Sequence, residues 1–148
     1  MSLIADIRAY VDSMVKLVDA NLDPENSQVF GNDNAGKHLA NKRYNLIFDE
    51  PITVDRDDIS YTETIPFKID IYAKPKFKAQ EAFDDLLDKA RCIRDQVCKK
   101  GNFPKDAENN YLFTDITSDN ITPIQELDHD KAFRMQLSFI LISKFSID

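Results

Sequence analysis

Between Ile59 and Ala73 the side chains alternate, with Ile59, Tyr61, Ile65, Phe67, Ile69 and Ile71 on one parity and Ser60, Thr62, Thr64, Lys68 and Asp70 on the other. A period of two specifies a strand with one buried face and excludes a helix, whose apolar residues recur every three or four positions. The C-terminal stretch repeats the signature: Phe133, Met135, Leu137, Phe139, Leu141 and Phe145 alternate with Arg134, Gln136, Ser138 and Lys144. Ile140 and Ile142 interrupt its polar side, which predicts a sheet region covered on both faces or touching a partner. Tyr111 to Thr117 is a weaker strand signal, and Ile121 to Leu127, carrying Pro123, fits at best an edge.

Two helical patterns accompany these strands. From Ser2 to Leu22, the residues Ile4, Ile7, Val11, Met14 and Val18 recur at steps of three and four and form one apolar stripe, with Ser2 as a cap and Asp23-Pro24 as a stop. A second helix is predicted over 78–100, with Ala79, Phe83, Leu86, Ala90, Ile93 and Val97 on one face. Its acids Glu81, Asp84 and Asp85 come early, Lys99 and Lys100 come last, and Gly101 follows as a C-terminal stop.

The segment before Ile59 gains a partner when Asp55-Arg56-Asp57-Asp58 is read as a four-residue turn. Val54 then faces Ile59, Ile52 faces Tyr61, Phe48 faces Ile65, Leu46 faces Phe67 and Tyr44 faces Ile69. A slip of one residue turns every apolar side chain to the wrong face. The same register opposes Glu50 to Glu63 on the apolar face, an unfavourable like-charge pair. The expectation is a long hairpin over about 44–73 that leaves the domain body near those glutamates. Its arms would be roughly 35 Å long at about 3.3 Å per residue. Its tip would present Ile52, Val54, Ile59 and Tyr61 as an apolar patch, of the kind that marks protein contacts, beneath an acidic turn. In the opposing reading the body covers the tip and the glutamates sit at its rim.

These elements occupy a chain of 148 residues that is 43% hydrophobic and 30% charged, enough for one core without staples. The fold they predict is a single α+β domain over 1–148, with a mainly antiparallel or mixed sheet, two amphipathic helices packed on one face, a projecting hairpin, and mobile loops at about 27–42 and 102–110. A net charge of -7 and a pI near 4.8 argue against a general nucleic-acid binder, which needs clustered excess Lys and Arg. Lys74, Lys76 and Lys78, interleaved with Pro75 and Phe77, form the one basic cluster, and it suits an acidic protein partner or a solvated face. No apolar run reaches spanning length, and Asp6 and Arg8 punctuate the N-terminal stretch, so a chain made and used in cytoplasm, or in an assembly built there, is expected.

The residues that could carry chemistry lack their usual surroundings. Val29 to His38 reads VFGNDNAGKH, close to a phosphate-binding loop, and Leu46 to Glu50 reads LIFDE, like a strand presenting a magnesium-bound acid. Such a loop needs Ser or Thr after its Lys and a helix behind it. Here His38 follows Lys37, Asp33 would repel phosphate, and the next strand begins near Arg43, which leaves no room for the helix. Asp128-His129-Asp130 lies in a polar turn, and Cys92 and Cys98 stand six apart in a helix, pointing to different faces without a local base. Neither a catalytic residue nor a cofactor or metal site is assigned.

The element order, the run IPFKIDIYAKPKFKAQEAFDDLLDKA from Ile65 to Ala90, and the closing strand FRMQLSFILISKF resemble the bacteriophage tail terminator, or tail completion, proteins. That resemblance implies a hexameric ring that caps the tail tube, ends its polymerisation and joins the head-side connector or stopper, with genomic DNA passing through the channel unbound. It implies a virion location after assembly in host cytoplasm. By region it also implies that Glu50, Ile52, Val54, Ile59, Tyr61 and Glu63 make subunit or tube contacts, and that Asp55, Asp57 and Asp58 lie near the channel, where acids would let DNA slide past. Ser27 to Lys42 and Asn102 to Asn110 are longer than a minimal member needs. Another neck component, or a monomeric adaptor that binds through the hairpin, are the competing readings.

Overall fold

The computed structural model describes residues 3–24, 43–73, 79–125 and 133–146. Helix α1 (Leu3–Val18) leads into a two-residue strand β1 (Asp23–Pro24), followed by β2 (Arg43–Ile47), β3 (Thr53–Arg56) and β4 (Ser60–Ala73). Helix α2 (Ala79–Cys98), a 3-10 turn (Lys100–Asn102), β5 (Asp115–Gln125) and β6 (Phe133–Ser146) complete the described chain. The strands form one six-stranded sheet in the order β1-β2-β4-β6-β5, with β3 pairing β4 beyond the end of β2. Only β1 and β2 run parallel among these pairs, so the sheet is mixed but mainly antiparallel. This is the α+β architecture that the alternation and the two helical stripes predict.

Both helices pack on one face of the sheet. The odd-numbered residues Ile65, Phe67, Ile69 and Ile71 of β4, and Met135, Leu137, Phe139 and Leu141 of β6, are buried against Ile7, Val11 and Val15 of α1 and Leu86, Ala90, Ile93 and Val97 of α2. Phe67 stacks on Phe139 with ring centroids 5.1 Å apart. Truncating either ring to Ala would cost about 3–5 kcal/mol through lost contacts and the cavity left behind. Tyr10 joins the helices by donating to the Val97 carbonyl at 2.7 Å, and its ring meets Phe103 and Phe113 edge-on. Burial raises the Tyr10 phenol well above its ordinary range, and the nearby Cys98 adds to the effect.

Several details depart from the sequence reading, each for a local reason. The hairpin register is shifted: Tyr44 faces Ile71 and Leu46 faces Ile69, while Val54 faces Glu63 and Arg56 faces Tyr61. Period two permits this, because a slip of two in β2 and of four in β3 keeps every side chain on its face. The tip then decides the matter. Asp57 Oδ1 accepts from the backbone N–H of Ile59 at 2.9 Å and of Ser60 at 2.7 Å, which fixes a two-residue turn at Asp58-Ile59 in place of the four-residue one. Between Ile47 and Thr53 the first arm spends Phe48 to Ile52 against Ile65 to Phe67, so two residues bulge out around Pro51.

β4 is also not a free arm, because β6 pairs with it from Ser60↔Ser146 to Ala73↔Phe133. At about 3.3 Å per residue this ladder is roughly 45 Å long. The two weak strand signals near 111–127 merge into β5, whose parity break is a bulge between Ser118 and Asn120, and Pro123 sits on that edge strand as expected. Gly101 does not end α2 in a left-handed conformation. Instead the Asn102 amide donates to the Gln96 carbonyl at 3.0 Å. The 102–110 segment forms a turn in which Asp106 Oδ1 accepts from the Glu108 and Asn110 N–H groups, with Asn109 at φ 68. The Ser2 cap and the 27–42 loop lie outside the described residues.

Candidate assembly surface

The tip of the hairpin is the main exposed apolar feature of the described residues. Ile52, Val54 and Ile59 are 46%, 56% and 72% exposed, and every residue from Asp49 to Ile59 is exposed. Val54 and Arg56 share the helix-side parity with Glu63 and Tyr61. Tyr61 is half-buried, its ring 5.1 Å from that of Phe145 on β6. Five of the six contact candidates thus cluster on and around β3, built on a ladder that β6 stiffens from behind. Among the described residues the body leaves Ile52, Val54 and Ile59 open, against the reading in which it covers the tip, while Tyr61 and Glu63 are partly covered.

Glu50 stands apart from this group. The predicted opposition of Glu50 and Glu63 is absent, because Glu63 lies between Val54 of β3 and Ser143 of β6 while Glu50 belongs to the irregular segment before β3. The reason is the tip turn at Asp58-Ile59, which sets Glu63 opposite Val54, and the bulge then leaves Glu50 outside the paired strands. Glu50 instead borders a shallow cleft of about 400 Å³ on the face opposite α1 and α2, together with Lys68, Asp119, Gln136 and Ile140. Ile140 and Ile142 are half-buried on that face.

The three acids of the tip differ in their surroundings. Asp55 is an exposed β3 residue facing Thr62, and Asp58 is an exposed turn residue. Asp57 is the keystone of the turn, also accepting from the Ser60 hydroxyl at 3.1 Å. The Ile59 N–H, then the Ser60 N–H and hydroxyl, hold its carboxyl below the usual range. Lys74, Lys76 and Lys78, the phosphate-loop look-alike at 29–38, and Asp128-His129-Asp130 lie outside the described residues.

On the face of the sheet opposite α1 and α2 the sequence reading missed a buried ion pair. Asp70 is fully buried and accepts from Arg134 Nη1 at 2.8 Å. Burial raises its carboxyl pKa against the lowering pull of Arg134 and of Gln136. Asn45, its neighbour across β2 and β4, is buried beside it. The signal was available as an Asp in the middle of a long strand and an Arg in the last one, but the β4–β6 register was needed to join them.

Among the described residues no group of three or more His, Cys, Asp or Glu could hold a metal ion, and no helix is long and apolar enough to cross a membrane. Cys98 is half-buried, and burial pushes its thiol up to about 11, with Arg94 opposing and Asp115 and Asp95 adding to the rise. What the described residues do assemble is an exposed apolar tip at the end of a long paired ladder. No family model and no curated protein matches the sequence. In fold, the chain is similar to one from the "virion of native gene transfer agent (GTA) particle", at TM-score 0.50 and 12% identity, over 96% of this chain and 91% of that chain.

Proposed function

We infer that this protein is a structural component of a phage-like virion, and specifically a tail terminator: a hexameric ring, as the resemblance to tail terminators implies, that caps the tail tube and joins it to the head-side connector. The observation that carries this reading is a fold likeness to a virion chain that spans nearly all of both chains. The exposed tip supports it, since Ile52, Val54 and Ile59 on a stiff ladder suit a contact made with other subunits or with the tube. The acids Asp55 and Asp58 are candidates for a channel lining that repels DNA, and the net charge of -7 agrees with passage without sticking.

Mass photometry of the purified protein, alone and with tail tubes, tests the reading. It predicts a defined ring-sized species in at least one of the two. A chain that stays monomeric and ignores tubes would instead be an adaptor. Pull-down against purified tubes and connectors separates a terminator, which binds tubes, from a stopper or other neck component that binds only the head-side vertex.

A further inference from the structure

The sheet's edges are protected unequally. The outer edge of β5 carries the Ser118–Asn120 bulge, Pro123 and the exposed Asp115 and Asp119. The β1 edge consists of Asp23 and Pro24. Bulges, prolines and charges are the devices that keep an edge from pairing with another chain. β3 carries Asp55 and Arg56 and follows the bulge at Pro51, but within Thr53–Arg56 it has neither bulge nor proline, and among the described residues it pairs only with β4.

Its free hydrogen-bonding groups can be assigned. Asp57 N–H donates to the Ser60 carbonyl at 2.9 Å, so this is a hydrogen-bonded pair of the ladder. Such pairs alternate in antiparallel strands, so Thr53 and Asp55 bond to β4 while Val54 and Arg56 turn their N–H and C=O groups to the open edge. The groups that could hold an added strand therefore stand beside the exposed Ile52 and Val54 side chains.

We propose that the β3 edge accepts, by strand addition, an extended segment of a different protein that is apolar on one face and basic at its ends. Charge selects this occupant. Asp55, Asp57, Asp58 and Glu63 surround the edge against Arg56 and the Lys144 of β6, so the tip is net acidic. A second copy's β3 would bring two acidic tips together. Its β5 would bring Asp115 and Asp119 along with a bulge and a proline, and its β1 another Asp and a proline. A strand with Lys or Arg at its ends meets none of these penalties. The proposal rests on reading the tip as an interface and assigns it to a neighbouring virion component, leaving ring contacts to other surfaces.

The test uses a capped heptapeptide of alternating Val and Thr with Lys at both ends, a counterpart with Glu at both ends, and a Lys-ended version N-methylated on its pairing amides. Amide exchange of the isotope-labelled full chain is followed by NMR. The Lys-ended peptide at about millimolar concentration should slow exchange at Val54 and Arg56, and should bind at least about threefold more tightly than the Glu-ended one, a gap that salt narrows. N-methylation and Val54→Pro should each abolish the protection; the proline removes only an outward N–H, so β3 stays paired with β4. Absent protection, or equal protection by the Glu-ended and N-methylated peptides, overturns strand addition. If protection is absent while Ile52→Ser still weakens tube capture, the contact is made by side chains and the functional reading stands. If the peptide binds but no tube or connector does, the edge stands and the virion role falls.

Discussion

Arg134→Met should be among the more damaging substitutions outside the main core, and the structure sets its size. Arg134 Nη1 lies 2.8 Å from Asp70 Oδ2. At an effective dielectric of about 20 their attraction is about 6 kcal/mol, most of which offsets the cost of removing both charges from water. Removing Arg134 leaves that cost without its compensation. Breaking a buried pair in this way costs about 3–5 kcal/mol. The Asp70 side chain is 0% exposed but that of Arg134 is 26% exposed, so water can reach the gap and the low end applies, about 3 kcal/mol. For a chain of this size that lowers Tm by about 6–12 °C.

The pH dependence has a definite sign. The Asp70 carboxyl is raised in the folded chain, so the folded state binds its proton more tightly than the unfolded state does. Stability from this group therefore grows as pH falls through the window between the two pKa values, and is lost as pH rises above it. Without Arg134 that window extends upward. The Arg134→Met deficit should be largest at neutral pH and shrink in mild acid, and adding Asp70→Asn should recover most of it. Urea unfolding of the parent, the single variant and the double variant at two pH values measures all three effects. A loss under about 0.5 kcal/mol, or one that neither acid nor Asp70→Asn relieves, would refute the reasoning.

Tyr10→Phe removes the donor to the Val97 carbonyl but keeps the ring among Phe103 and Phe113, so equilibrium unfolding should show a loss of about 1–2 kcal/mol. Asp57→Ala should loosen the hairpin turn and speed amide exchange at Ile59 and Ser60. Because those donors depress the Asp57 carboxyl, its stabilising contribution is present above the ordinary carboxylate range and is lost as pH falls through the lowered value, so the parent's exchange should come to resemble the variant's in acid. A thiol reagent at mildly alkaline pH should label the exposed Cys92 well before the half-buried Cys98, with peptide mapping as the readout.

Both helices and the two long strands were legible because their periods are unambiguous: a stripe including Ile7, Val11 and Met14, and a fourteen-residue strand with buried Ile65, Phe67, Ile69 and Ile71. Register was not legible. Alternation cannot tell a slip of two or four from no slip, and the choice rests on three hydrogen bonds from Ile59 and Ser60 to one Asp57 oxygen. β5 was split in two for a related reason, since the extra residue at its bulge reverses the parity of Ile116 relative to Ile121. The surface fared better than the pairing: Ile52, Val54 and Ile59 are exposed, although the Glu50–Glu63 pair that first singled out the region does not form. Sequence placed the patch by its apolar residues next to an acidic turn, and those do not depend on which residue faces which.

Electron microscopy of tail tubes mixed with this protein, and with an Ile52→Ser, Val54→Ser variant, shows whether the hairpin tip seats a ring on the tube. Both positions are exposed, so the variant should fold with stability within about 0.5 kcal/mol of the parent. Ring-shaped caps at one end of parent-treated tubes, an arrest of tube growth, and few or no caps with the variant are the expected outcome. Bare tube ends with the parent protein, or equal capping by the variant, would contradict it.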